Sequence, residues 1–286
     1  MAVYKRTYQG YSGPLTNPMW RFLVLQRFAF KSVFRSRFLL VGYALCFFFP
    51  LIAICFFYLN QNAALLAQVR LQAGFFRIDG RYFLVFLQTQ GGLAILLTAF
   101  VGPSLVAPDL GNGALPFYLS RPLSRAEYIL GKGMVLGSLI ASITLVPALL
   151  LFAIQSSLMG FDWFRNNLYL AGGILVSGLL LMAVLILLGL AMSAWVRWRV
   201  VAGALVLGAF VAGKGFGAVI NAVMRSTAGY YLDLQYLFTA LEGNMLHNPA
   251  PAEPVPALAA ALTLLAFCGL LLLLINRKLR VCEVAG

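Results

Sequence analysis

Six apolar runs dominate the chain, at about 38–59, 83–103, 134–154, 168–192, 200–220 and 255–275. Each is close to the roughly 20 residues that a helix needs to cross a hydrocarbon core. Pro50, Pro103 and Pro147 lie in or at the end of these runs, where membrane helices tolerate proline better than soluble helices do. A membrane β-barrel needs alternating segments of about ten residues, and none appear. The pattern predicts an all-α polytopic membrane protein with six transmembrane helices over 38–275. A cytoplasmic segment, 1–37, precedes them and a cytoplasmic tail, 276–286, follows. Neither an internal repeat nor a domain boundary is evident. The segment 221–254 is too short for a folded ectodomain, and its Tyr and Pro content suggests short interfacial or re-entrant helices.

Polar positions ahead of the first run predict one more helix, at about 17–37. Asn17 can cap it, and Pro18 suits its first position. Arg27, Lys31 and Arg35 step by four and share a face, with Arg21 nearby. Phe22, Leu25, Ala29 and Val33 lie on another side. A basic amphipathic helix of this kind lies in a membrane interface, with Trp20 at headgroup level.

Composition reinforces the pattern. Of 286 residues, 62% are hydrophobic and 10% charged. A soluble domain carries about 25% charged residues, so an ordinary soluble domain is excluded. The net charge of +13 invites two readings, nucleic-acid binding or basic cytoplasmic loops. Position decides between them. Lys5, Arg6, Arg21, Arg27, Lys31, Arg35, Arg37, Arg121, Arg125, Lys132, Arg197, Arg199, Arg277, Lys278 and Arg280 fall on one side of the predicted topology. Only Arg70, Arg77, Arg81, Arg165 and Arg225 fall on the other, and Lys214 lies inside a run. Both termini are therefore expected in the cytoplasm. The lipid bilayer is the expected partner, and nucleic acid is not. The first 37 residues hold no short apolar run ending in a small-residue cleavage site, so no signal peptide is expected. Cys46, Cys55, Cys268 and Cys282 form neither a disulfide framework nor a zinc spacing.

Few residues suggest chemistry. Gly208 to Gly215 fits the glycine and lysine spacing of a phosphate-binding loop, but Gly215 stands where a hydroxyl should hold magnesium. Packing is the better account. Ala209, Gly213 and Gly217 recur every four residues, as Gly133 and Gly137 do, and such a face lets membrane helices approach closely. Lys214 either snorkels to the outer interface or lines a pathway. Gln88, Thr89 and Gln90 are expected to avoid lipid and face protein or water. His247 reads as a solvated loop residue. Asp79 and Asp162 are isolated carboxylates, and no nucleophile–base constellation is visible. No catalytic, metal-binding or cofactor-binding role is expected of this chain.

The connection from Asp109 to Lys132 is the most informative segment. Gly111 and Gly113 supply a turn. Leu115 to Leu119 can form a short apolar helix, which Ser120-Arg121-Pro122 ends because a residue preceding proline disfavours the helical region. Ser124 with Glu127 forms a capping box for the next helix. Such a knob suits docking into a partner's groove.

This segment resembles the ABC-2 type permeases, the membrane subunits of ATP-binding-cassette exporters of the type V kind. Asp109, Gly113, Leu115, Leu119, Ser120, Arg121, Pro122, Ser124, Arg125, Gly131 and Lys132 match the family pattern in order. Asp109 stands where Glu is commoner, and Ala114 where Thr or Ser is. The resemblance implies that residues 110–131 form a cytoplasmic coupling region against a separate ATPase, with the amphipathic helix as the elbow beside it. It implies two ATP-binding subunits that bring the Mg-ATP, and a second permease copy or paralogue. The second and fifth spans would line the route, which gives Gln88, Gln90 and Lys214 a reason to exist. The expected function is that of a permease subunit of an exporter in a bacterial plasma membrane. The alternative is a membrane anchor that transmits ATPase motion without classical transport.

Overall fold

The computed structural model describes residues 21–61, 78–112, 125–196, 198–248 and 254–284. Among these residues the structure is all-helical, with no strand. The helices are α1 (Arg21–Phe34), α2 (Arg37–Leu45), α3 (Phe48–Gln61), α4 (Gly80–Val101), α5 (Pro103–Gly111), α6 (Arg125–Ile143) and α7 (Leu145–Met159). They continue with α8 (Phe161–Asn166), α9 (Leu168–Trp195), α10 (Arg199–Met224), α11 (Leu234–Met245) and α12 (Ala257–Val284).

Among the described residues six stretches are long and apolar enough to cross a membrane: Arg37–Leu59, Gly80–Asp109, Ala126–Met159, Leu168–Trp195, Arg199–Met224 and Ala257–Lys278. Each overlaps its predicted run. The second and third extend furthest beyond it, because a helix continues through polar ends that an apolar run excludes.

The first three spans are each built from two helices, and proline explains every break. Proline has no N–H and crowds the carbonyl four residues back. Pro50 deprives the Cys46 carbonyl of its helical donor, and α2 gives way to α3 at that point. The Gln90 side chain on α4 replaces the missing donor, its Nε2 donating to the Cys46 carbonyl at 3.3 Å. Pro103 likewise frees the Ala99 carbonyl, and a β-carbon at Gly203 would collide with that oxygen. Glycine there lets α10 approach the kink. Pro147 stands three residues past the break at Thr144, whose hydroxyl donates to the Ile140 carbonyl at 2.8 Å.

The centre of the bundle is α9. It carries no charged residue and is apolar on every side, as suits a helix set among other helices and lipid. It packs against α4, α5, α6, α7, α10, α11 and α12. Ile174, Leu181, Leu185 and Leu188 are buried along it. Gly133 and Gly137 of α6 receive the Ile186 side chain of α9, as the four-residue spacing predicts. The first, fifth and sixth spans lie outermost. On α10, Val200, Val211, Phe216, Val219 and Val223 are all exposed. A face of this kind meets lipid or another membrane helix.

Two ends of the bundle differ in charge. At the basic end α1 packs on α6, with Ala29 and Val33 buried and Arg27, Lys31 and Arg35 exposed. Lys278 lies 5.3 Å from the centre of the Trp195 ring there. At the distal end Leu246 packs against Gly80 and Gly173, and His247 stacks on Tyr169 at 4.1 Å.

Between α10 and α11 the chain turns back into the bundle. Arg225, at φ 46°, ends α10 in the left-handed conformation. A 3-10 turn, Ala228–Tyr231, then runs back along α10. A β-carbon at Gly213 would strike the Leu232 carbonyl, and one at Gly217 the Gly229 carbonyl. Asn221 Oδ1 accepts from the Gly229 N–H at 2.7 Å. The small-residue stripe of α10 therefore serves this returning turn rather than a second membrane helix. Asp233 then caps α11, accepting from the Tyr236 N–H at 3.1 Å.

Candidate functional site

Two polar sites stand out, one towards each end of the bundle. At the basic end Asp109, on the last turn of α5, meets Lys132 of α6 in an ion pair of 2.9 Å. Tyr128, one turn earlier on α6, donates its hydroxyl to the same Asp109 oxygen at 2.8 Å. The Lys132 ammonium also lies 5.9 Å from the Tyr128 ring centre. Val106, Leu190, Ala194 and Ile275 wall this cluster. The Lys132 and Asp109 side chains are only 10% and 15% exposed. Low solvent access strengthens the pair and makes the loss of either partner costly. Asp109 and Lys132 bound the predicted coupling region, and their pairing holds the two ends of that region together.

Gly131 is buried beside this pair. Gly113, Leu115, Leu119, Ser120, Arg121, Pro122 and Ser124 lie outside the described residues, as does Trp20. Arg21 and Arg125 open α1 and α6, and their side chains lie outside the described set.

The start of α5 is held by a residue that the sequence did not single out. The Pro103 break leaves the first N–H groups of α5 without helical acceptors. Ser193, fully buried on α9, accepts from the Val106 and Ala107 N–H groups at 3.2 and 2.8 Å. Its own hydroxyl donates to the Pro103 carbonyl at 3.2 Å. Gly102 and Gly189 pack backbone to backbone beside it.

The second site is a cleft of about 30 Å³ between α4, α10 and α11, next to Leu181 of α9. That is room for about two waters. Gln235, Phe238, Thr239 and Glu242 recur at helical spacing along α11 and line it together. Gln88 faces them from α4, its Nε2 donating to the Thr239 hydroxyl at 3.4 Å. Thr239 in turn donates to the Gln235 backbone carbonyl at 3.0 Å. Glu242 is only 3% exposed, and its Oε2 has no hydrogen-bond partner among the described residues. It lies outside the six spans, and burial pushes its carboxyl up to about 8. Among the described residues no other charged side chain lines the cleft. Lys214, one turn past Phe210 on α10, is exposed and makes no ion pair with a described residue. Asp233 is occupied at the α11 cap.

The three predicted pathway residues thus part company. Gln88 lines the cleft, Lys214 projects from the outer face of α10, and Gln90 is fully buried on the Cys46 carbonyl. Glu242 was not singled out by the sequence. The face it shares with Gln235 and Thr239 was legible from their spacing, but its burial depends on the turn back along α10. Among the described residues no group of His, Cys, Asp and Glu has metal-holding geometry. Cys46, Cys55 and Cys268 are free thiols. Comparison with protein families and with curated proteins finds no match for this sequence.

Proposed function

We propose that this chain is the membrane-spanning permease subunit of an ABC-type exporter in a bacterial plasma membrane, with both termini in the cytoplasm. ATP is bound and hydrolysed by two separate ATPase subunits. A second copy of this chain, or a paralogue, completes the complex along α4 and α10. Residues 110–131 form the coupling region, and α1 is the interfacial helix beside it.

The observation that carries this reading is the Asp109–Lys132 pair. A coupling segment must move as a lever rather than as a loose loop. An ion pair walled by apolar side chains ties its two ends together, so that force on the segment reaches α5 and α6 at once. Through Ser193 the same motion reaches the central helix.

The test is Leu119→Asp, which places a carboxylate in the apolar docking contact. The variant should insert normally, capture less of the ATPase subunit in a pull-down, and lose ATP-driven flux in liposomes. Normal capture together with normal flux would remove the coupling assignment. Normal capture without flux of any cargo, already in the unaltered complex, would favour a mechanical anchor instead.

A further inference from the structure

We infer that the cleft formed by Leu87, Gln88, Phe210, Gln235, Thr239 and Glu242 binds a primary ammonium group carried on an apolar body. This deepens the permease reading by giving the class of cargo. It rests on that reading only where the bound amine is called cargo; the binding site itself stands on the geometry.

The argument begins with Glu242. A buried carboxyl oxygen without a hydrogen bond is costly, and native structures rarely leave one so. Glu242 lines the cleft, and its orphaned oxygen, itself closed to solvent, meets a ligand there once the side chain turns into the cleft. The chemistry of the walls then selects the ligand. An anion would meet a carboxyl group with no cation among the described residues of the cleft to offset it. A divalent metal seeks six or more oxygen ligands in the case of calcium, roughly, and the cleft offers one carboxylate. A primary ammonium has three N–H donors. Glu242, Gln88 and Gln235 all line the cleft, and each side chain carries an oxygen that can accept. A quaternary ammonium has no N–H to give these acceptors, whereas the –NH3+ head of a primary amine is small enough for a cleft of about 30 Å³ with its body left outside. A hydroxyl brings one donor and no charge. Leu87 and Phe210 supply apolar walls for the body that carries the ammonium.

The same chemistry can arrive as a soluble amine or as the ethanolamine headgroup of a lipid. The purified chain in nanodiscs, probed with n-butylammonium, n-butanol and tetramethylammonium by calorimetry, separates the cases. Saturable binding of n-butylammonium is expected, with n-butanol about tenfold weaker, as for a ligand lacking a charged partner, and tetramethylammonium silent. In phosphatidylethanolamine nanodiscs, weakened n-butylammonium binding relative to phosphatidylcholine identifies the lipid headgroup as an occupant. Equal binding in both identifies a soluble amine.

Glu242→Gln keeps the shape and removes the group that becomes a carboxylate when an ammonium binds, and it should weaken n-butylammonium by tenfold or more, roughly. A thermal melt checks that the variant is folded. Should it fail to fold, Thr239→Val and Gln88→Leu at the partly exposed rim must each weaken binding severalfold. Undiminished affinity in the folded Glu242→Gln chain, equal affinity for n-butanol, or no saturable binding to the unaltered chain overturns the site. None of these readouts involves an ATPase, so failed ATPase capture would sink the permease reading and leave this one standing.

Discussion

Asp109, Tyr128 and Lys132 show how much a few side chains settle. Two donors converge on one carboxylate oxygen, at 2.9 and 2.8 Å, in a site mostly closed to solvent. Among the described residues, Lys132→Met would leave that carboxylate with the tyrosine hydroxyl alone. A buried charge that loses its partner costs up to about 3 kcal/mol here, nearer the low end because the site is partly open. Removing both charges together, with Asp109→Asn and Lys132→Met, should cost less than Lys132→Met alone. Thermal unfolding of the three chains in one detergent checks this, and a double variant at least as unstable as the lysine variant would contradict it. Both residues were legible in the sequence, since both belong to the motif that runs from Asp109 to Lys132. Gln90 was legible only as a polar residue that must avoid lipid. Its use depends on Pro50, 40 positions away, having freed a carbonyl that α4 happens to face. Nothing local to Gln90 announces that.

Single elements repeat the lesson with backbone groups in place of side chains. The span positions follow from apolar runs, and the three breaks follow from three prolines, so both could be read in advance. What each break does with its unpaired groups could not. At Pro103 the answer is Ser193, which serves two N–H groups and one carbonyl with a single hydroxyl. Ser193→Ala should therefore cost about 1–3 kcal/mol, the penalty for buried polar groups left unpaired. It should act locally, and amide exchange over 103–111 should quicken while exchange in α9 stays slow. A uniform change across the bundle would mean that the serine packs rather than caps. The stripe Ala209, Gly213 and Gly217 shows the limit from the other direction. Its spacing suits any close backbone approach, and only the tertiary structure reveals that a returning turn, Leu232 and Gly229 among its carbonyls, takes that place.

Across the whole molecule, charge and shape point the same way. Arg27, Lys31, Arg35, Lys132 and Lys278 gather at the basic end, while Arg81, Arg165 and Arg225 are spread over the distal end. Positive residues near the ends of spans are retained on the cytoplasmic side during insertion, so the basic end should face the cytoplasm. That orientation decides whether the segment between α5 and α6 can meet a cytoplasmic ATPase at all. It also decides whether the Glu242 cleft, nearer the distal end, takes its ligand from the outer leaflet side. The check uses a chain whose four native cysteines are replaced, carrying one new cysteine at a time. Cysteine at Asn244, exposed on α11, should react with an impermeant thiol reagent in intact cells. Cysteine at Ser124 should react only after the membrane is opened. The reverse pattern would turn the bundle over, place the Asp109–Lys132 pair outside the cell, and leave the proposed coupling region with no ATPase to touch.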